Sequence, residues 1–166
     1  MGKRVRLKQG DIFRIPLDER RFGRGQIIEP GIVFLMTILK TPVEAHFEVG
    51  EIDTRDILLC GRTTDAEFFH DRWHVVGNLP LPERGIIPRP CYKLGPKEDA
   101  RLVDFDGKFL RRATAFEWEN LDYQNSASPG LYEDAFKAHH GVVAEKPHFA
   151  KYHIEHMRAQ AALVLG

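Results

Sequence analysis

The longest apolar segment of the chain is GIVFLMTIL at residues 31–39, and its apolar residues are consecutive rather than alternating. Successive side chains of a strand point to opposite faces, so such a strand must be covered on both sides. The segment predicts a central strand of a sheet, or one capped by a helix. Its uninterrupted part, residues 32–36, is far too short to cross a membrane. The chain also begins without an apolar leader, so we expect a cytoplasmic protein with no membrane partner.

Short apolar runs broken by proline and glycine predict further strands. Proline cannot donate a hydrogen bond to a neighbouring strand, so Pro16 should end the first strand or lie on an edge. The proline-rich residues 79–96 predict an irregular segment that wraps over the core. Asp106-Gly107, between apolar residues, favours a hairpin with a two-residue turn. The other predicted strands cover residues 11–15, 57–61 and 73–77, and one begins at 25–28.

The C-terminal quarter carries helix signals. Ser128 is a typical N-cap, Pro129 fits the first helical turn and Gly141 supplies a stop. A second helix is predicted from near Pro147, because apolar residues recur there at spacings of four, three, four and three. These residues are Ala150, Ile154, Met157, Ala161 and Val164.

Together the patterns predict an α+β fold. We expect a strongly bent antiparallel sheet, partly barrel-like and SH3-like in character, followed by two C-terminal helices. A chain of 166 residues is long enough to bury a core of this kind. We divide it into an α+β domain at residues 1–144 and a C-terminal helical extension at 145–166.

The glycine pair Gly23-Arg24-Gly25 raises the question of a phosphate-binding loop. A dinucleotide fingerprint needs a third glycine at the sixth position and a helix after it, whereas this chain has Ile28 followed by strand-like sequence. The chain also has no Gly-Lys-Ser/Thr. We interpret the two glycines as positions where the backbone bends or bulges on re-entering the sheet.

Other side chains that could carry chemistry do not form a recognisable motif. Five of the eight histidines lie in the last 28 residues, but His153-Ile-Glu-His156 lacks the spacing of a zinc-protease helix. Cys60 lies in an apolar strand and should be an inert thiol, while Cys91 could be exposed. We therefore expect no enzyme activity, no cofactor and no metal. The other three of these five histidines are His139, His140 and His148.

Aromatic residues divide into two groups. Trp73 is expected to anchor the core, with its indole N–H needing a partner. Phe116 and Trp118 alternate with acidic residues, which predicts a strand with one apolar and one anionic face and places both aromatics in the core. On that strand Glu117 and Glu119 would share a face and could receive a cationic group, although a solvated edge is the more common cause of such a pattern.

Charge is balanced overall, with 24 basic and 24 acidic residues, but it is unevenly distributed. Residues 1–24 carry eight Lys/Arg against three Asp/Glu, and residues 44–56 carry five acidic residues against Arg55 alone. Two opposed local fields would suit a partner surface. They would equally suit two solvated patches that pair with each other.

Several motifs occur in a particular order. GDIFRIPLDERRFGRGQII at residues 10–28 is followed by DRWHVVGNLPLPE at 71–83, by the Asp-Gly hairpin, and by LYEDAFKAHHG at 131–141. In this order they resemble the immunity protein 26 family of bacterial polymorphic toxin systems, over most of residues 9–141. The resemblance implies a small cytoplasmic protein that binds and neutralises a cognate toxin, and it brings no catalytic residues with it.

A toxin-binding protein needs anchors on an accessible surface, and loops usually carry function. We predict a charged hairpin tip at residues 17–24, together with the acidic 44–56 segment. The predicted contact residues are Arg20, Arg21, Phe22, Arg24, Glu48, Glu51 and Asp53. Residues with a structural role are expected to be Gly10, Pro16, Gly23, Gly25, Trp73, Gly77 and Gly107.

Two alternatives stay open. The opening segment is also similar to small-barrel endoribonuclease toxins of the MazF type, which implies an RNA-binding or RNA-cleaving protein that uses the basic N-terminal segment. Their usual Gly-x-Arg-Pro is replaced here by Gly25-Gln26-Ile27-Ile28, which argues against nuclease activity, and we expect no nucleic-acid partner. The apolar C-terminal sequence AQAALVLG would alternatively suit a contact between copies of the chain.

Overall fold

The main sheet has six strands, and five of them follow the spatial order β5-β3-β2-β1-β6 with antiparallel neighbours. A short additional strand, β4, pairs with the beginning of β2. The computed structural model describes residues 4–44 and 47–164. The strands are β1 (Asp11–Pro16), β2 (Arg21–Glu29), β3 (Val33–Leu39), β4 (Val43–Glu44), β5 (Ile57–Thr64) and β6 (His74–Asn78).

The prediction of a central strand at residues 31–39 is confirmed. Strand β3 lies between β2 and β5, and side chains on both of its faces are buried. Phe34, Met36 and Ile38 point to one face, while Leu35 and Leu39 point to the other. The sheet is therefore the middle layer of the molecule.

Two helices and a short 3-10 segment cover the first face of the sheet. Helices α1 (Ala66–Phe69) and α3 (Pro129–His139) lie there with the 3-10 segment Pro147–Tyr152, and they bury Phe68, Phe136 and Phe149 against it. The predicted first C-terminal helix is thus confirmed as α3. Trp73 belongs to the same core, as predicted, and is 1% exposed. Its indole N–H donates to Glu133 Oε1 at 3.0 Å.

The second face is covered by segments that follow β6. Leu79, Leu81, Ile86 and Ile87 pack against this core, so the prediction that the proline-rich segment wraps over it is confirmed. Helix α4 (Ile154–Ala162) contributes Ile154 and Met157. One continuous second helix was predicted from near Pro147. The chain instead forms the 3-10 segment and then α4, with a break at His153, and Ala150 is exposed.

A three-stranded antiparallel sheet lies beside the main one, in the order β7-β8-β9. Its strands are β7 (Tyr92–Leu94), β8 (Arg101–Val103) and β9 (Phe109–Arg112). The predicted hairpin at Asp106-Gly107 is confirmed and joins β8 to β9, but the prediction of a two-residue turn is wrong. Asp104 N donates to Lys108 O at 2.8 Å, Gly107 N donates to Asp104 O at 3.0 Å, and Gly107 has φ +91°. This is a turn followed by a bulge at the glycine, which supplies the positive φ.

The predicted strand around Trp118 is wrong, because residues Ala115–Asn120 form helix α2. Thr114 caps this helix, with its Oγ1 accepting from Glu117 N at 3.1 Å and its N donating to Glu117 Oε1 at 2.8 Å. This capping box is a strong helix signal that outweighs the alternating pattern. Phe116 is 57% exposed and therefore not in the core, and Trp118 is half-buried.

The barrel-like and SH3-like character of the main sheet is not confirmed. β5 and β6 are its two edges and do not pair with each other, so the sheet is not closed. Register shifts that bend it occur at residues 12–13, 27–29 and 38–39. Within residues 4–44 and 47–164, no helix is both long enough and apolar enough to cross a membrane.

Candidate partner-binding surface

The connection between β1 and β2 is a short, ordered tip at residues 17–20. Leu17 is buried and anchors it, while Asp18 and Arg20 are exposed. Asp18 Oδ1 accepts from the backbone N–H groups of Arg20 and Arg21, at 2.9 and 2.7 Å, and Arg21 Nε donates to Asp18 Oδ2 at 2.8 Å. These bonds lower the pKa of Asp18. The tip is therefore held in one conformation by its own side chains.

Two arginines and one aromatic ring lie next to this tip. Arg21 and Phe22 are half-buried at the start of β2, paired with Glu44 and Val43 of β4. The guanidinium of Arg14 lies 4.4 Å from the centre of the Phe22 ring. Arg14 also lacks a carboxylate within 4.0 Å among the residues that the structure describes. Sequence reasoning missed Arg14, because nothing in a strand sequence shows which cation has no counter-ion.

Arg24 differs from its neighbours, and its predicted place on the hairpin tip is wrong. It lies in the middle of β2, opposite Arg14, and is only 8% exposed. Its Nη2 donates to Thr41 O at 2.8 Å, and burial lowers its pKa. The predicted tip extended to residue 24, whereas β2 already begins at Arg21.

The two glycines on either side of Arg24 serve packing inside the strand. A Cβ on Gly23 would collide with the ring of Phe136 from α3. A Cβ on Gly25 would collide with the Phe13 ring and would lie 2.6 Å from Thr37 O. The register shift of β2 lies further along the strand, at residues 27–29. The prediction that the strand bends or bulges at the two glycines is therefore wrong.

The remaining structural glycines have separate roles. Gly10 has φ +88°, which favours glycine just before β1, and Gly77 lies against the side chain of Val49. Pro16 ends β1 as predicted.

The acidic segment begins beside the tip and leads away from it. Glu48, Glu51 and Asp53 are all exposed. Val49 packs on Gly77 of β6, so the segment runs towards the other end of the sheet. Asp53 accepts from Arg55, which lowers the pKa of that carboxyl. The structure thus places Arg21 near Glu44, but it does not bring all seven predicted contact residues together.

The other residues considered for chemistry include an ion-paired glutamate, two free cysteines and a histidine next to a backbone carbonyl. Glu117 forms a two-point ion pair with Arg111, at 2.8 Å for both bonds, which lowers the pKa of the carboxyl to about 2. Cys60 is buried, which raises the pKa of its thiol to about 12, and Cys91 is half-buried. His140 Nε2 lies 2.9 Å from Lys40 O. Among residues 4–44 and 47–164, no group of three or more His, Cys, Asp or Glu could hold a metal ion.

Comparison with known proteins gives one match. The model of a family described as Immunity protein 26 matches residues 8–95, which is more than half of the chain and includes the whole main sheet and β7. The fold thus belongs to a protein of the immunity class. The chain is a member of the Immunity protein 26 family, as its motifs indicated. No curated protein and no solved structure matches it.

Proposed function

We propose that this protein binds a cognate toxin and neutralises it by forming a stoichiometric complex, without catalysis. Membership of the Immunity protein 26 family carries this proposal. The matched residues form the sheet that presents the charged tip. A binding protein of this kind needs no reacting groups.

The proposed contact is the hairpin surface, which we define as Arg14, Arg20, Arg21 and Phe22. Arginine and aromatic residues are the side chains that most often dominate binding energy. The Asp18 bonds hold the tip in place before the partner arrives, and this reduces the conformational entropy lost on binding. Arg24 is left out as a direct contact because it is buried. Glu48, Glu51 and Asp53 remain a second proposed contact.

The hairpin surface predicts the chemistry of its partner. Among the residues that the structure describes, Arg21 forms an ion pair with Asp18, whereas Arg14 and Arg20 form none, so this surface would suit an acidic patch on the toxin. Opposite charges at the rim of an interface mainly accelerate association, and their effect decreases as salt increases. We therefore expect an association rate constant that falls steeply with ionic strength.

A titration tests the mode of action. The cognate toxin domain, identified from the neighbouring reading frames or by a pull-down from the source cell, is mixed with increasing amounts of this protein, and residual toxin activity is measured. A binder abolishes toxin activity only at an equimolar ratio. Complete protection by a small fraction of one equivalent would show that the protein acts catalytically, and would contradict the proposal.

Charge reversal tests the hairpin surface. Arg20 is exposed and only its backbone N–H is bonded to Asp18, so Arg20→Glu should leave the melting temperature unchanged while weakening toxin binding at least tenfold. Arg84→Glu is the matched control, because Arg84 is exposed on the proline-rich segment, away from the tip. If both variants bind the toxin like the wild type, Arg20 does not belong to the interface.

The RNA-binding alternative makes a different prediction. An RNA-binding protein would shift RNA in a gel at low salt, and the shift would disappear as salt increases. We expect no such shift. A tight, salt-dependent RNA complex would favour the alternative over toxin neutralisation.

A further inference from the structure

A cavity of about 420 Å³ lies between β5, β7, residues 121–127 and α4. This volume is within the range of small-molecule sites. One wall comes from the family-matched part of the chain, through Arg62 and Lys93. The other comes from residues beyond it, through Lys151 and His156. The cavity is distant from the hairpin surface and plays no part in the function proposed above.

Aromatic rings form much of the cavity lining. Tyr132 and Tyr152 pack together with ring centres 4.9 Å apart, and Tyr132 is fixed by its hydroxyl, which donates to Arg62 O at 3.1 Å. Tyr92 stacks on Phe105 at 6.0 Å with an angle of 25° between the rings. Tyr123 is the fourth tyrosine of the lining. Such walls favour a flat, unsaturated ligand.

The charged groups of the lining are mostly cations. Arg62, Lys93 and Lys151 are among the residues that line the cavity, and Asp122 is the single acidic residue among them. That carboxylate is already occupied, because His156 Nε2 lies 2.6 Å from Asp122 Oδ2. The lining therefore has more positive charge than its own acidic residue can compensate.

The two inner cations are held by neutral partners. Arg62 Nη2 donates to Phe105 O at 2.8 Å, and its guanidinium lies 4.1 Å from the Phe105 ring centre. Its carboxylate neighbour, Asp106, is 3.8 Å away and is shared with Arg89. Lys93 Nζ donates to Trp118 O at 2.8 Å and lies 4.8 Å from the Tyr123 ring centre. Carbonyls and rings fix the position of a cation without cancelling its charge, so the charge stays available to an anion.

We infer that this cavity binds a small aromatic anion with the chemistry of a nucleoside monophosphate. The tyrosines would contact the base, and Lys93 and Lys151 would contact the phosphate. The inference is independent of toxin binding.

Calorimetry and thermal unfolding of the full chain with AMP, GMP, CMP and UMP test this inference. At least one nucleotide should bind with a dissociation constant below about 1 mM and raise the melting temperature by about 2–5 °C at saturation. Adenosine, guanosine and inorganic phosphate, each lacking one half of the ligand, should bind at least tenfold more weakly. The inference is overturned if no nucleotide binds, or if inorganic phosphate binds as tightly as the nucleotides.

Two lysines give a matched pair of variants. Lys93 and Lys97 both lie over the Trp118 ring, at 4.9 and 5.7 Å from its centre, but only Lys93 lines the cavity. Lys93→Met should weaken nucleotide binding at least tenfold, and Lys97→Met should not. Lys151→Met is a second test at an exposed position where folding is not at risk. The assignment would be overturned if the Lys93→Met and Lys151→Met variants both bound nucleotide as tightly as the wild type.

Discussion

At the scale of single residues, Gly23 and Gly25 determine how closely aromatic rings approach the main sheet. The missing side chains leave room for Phe136 from α3 above Gly23, and for Phe13 from β1 beside Gly25. Glycine weakens a strand through its conformational freedom, but here it allows two large rings to be fully buried. The glycine pair therefore contributes to the core rather than to a ligand site.

Gly25→Ala is predicted to destabilise the protein by about 1–3 kcal/mol, because the new methyl group would overpack the core. One of the atoms it meets is the backbone oxygen Thr37 O, which cannot rotate away. Urea denaturation measures the change. Gly130→Ala in α3 is the control, since nothing lies within 4 Å of its added Cβ, and it should be neutral or slightly stabilising. Equal stability of the Gly25 variant and the wild type would contradict this account of the strand.

At the scale of elements, α2 is attached to the second sheet through one carboxylate. Glu117 closes the capping box with Thr114 and pairs with Arg111 of β9. Both roles need the ionised form. Its pKa, about 2 in the folded protein, is well below its ordinary value of 4.5, so it stabilises the fold fully above pH 4.5. This stabilisation is lost as pH falls from 4.5 towards 2.

Glu117→Gln should therefore reduce the free energy of unfolding by about 1.5–3 kcal/mol at pH 7, the range for hydrogen bonds to charged groups. The difference from the wild type should shrink steadily in urea denaturations between pH 4.5 and pH 3. Glu119→Gln is the control, because Glu119 and its partner Lys97 are both more than half exposed. A difference that stays constant with pH would show that the charge of Glu117 is not responsible.

The elements also show what local sequence could and could not predict. Strands β1, β3, β5 and β6 and helix α3 were predictable, because their apolar patterns and end signals agree. Helix α2 at residues 115–120 was missed because the alternating pattern favoured a strand, although Thr114-x-x-Glu117 is a local helix signal. The β2 boundary was missed because glycines usually end strands, whereas here tertiary contacts require them inside one.

The candidate site was less predictable than the fold. The exposed position of Arg20 followed from a charged stretch after a proline, and this is a local signal. The burial of Arg24 could not be predicted from local sequence. It depends on contacts with Thr41 and Phe47, which come from another part of the chain. The cavity beside Arg62 could not be predicted either, because its lining comes from separate stretches between residues 35 and 160.

At the scale of the whole molecule, the C-terminal residues belong to both cores. Phe149 is 1% exposed against the first face of the sheet, and Ile154 and Met157 are buried against the second. The division into a domain at 1–144 and a helical extension at 145–166 stays a prediction. A contact between copies through the C-terminal sequence AQAALVLG is a further prediction, which light scattering on the full chain would test.

Phe149→Ala tests the proposed division. A buried phenylalanine truncated to alanine costs about 3–5 kcal/mol, so the variant should lose a large part of its stability to urea. Phe116→Ala is the matched control, because Phe116 is 57% exposed and its removal should cost less than about 1 kcal/mol. A nearly neutral Phe149 variant would instead support a dispensable extension.

The covering of the main sheet by later segments has a consequence during synthesis. All six strands of that sheet are complete at Asn78, but α3, Phe149 and α4 follow over about the next 80 residues. At 5–20 residues per second, a ribosome needs roughly 4–17 s to make them. During this interval the parts of both faces that α3, Phe149 and α4 will cover lie open to chaperones and to neighbouring chains. A newly made molecule therefore reaches its finished fold only once its last helix has been translated.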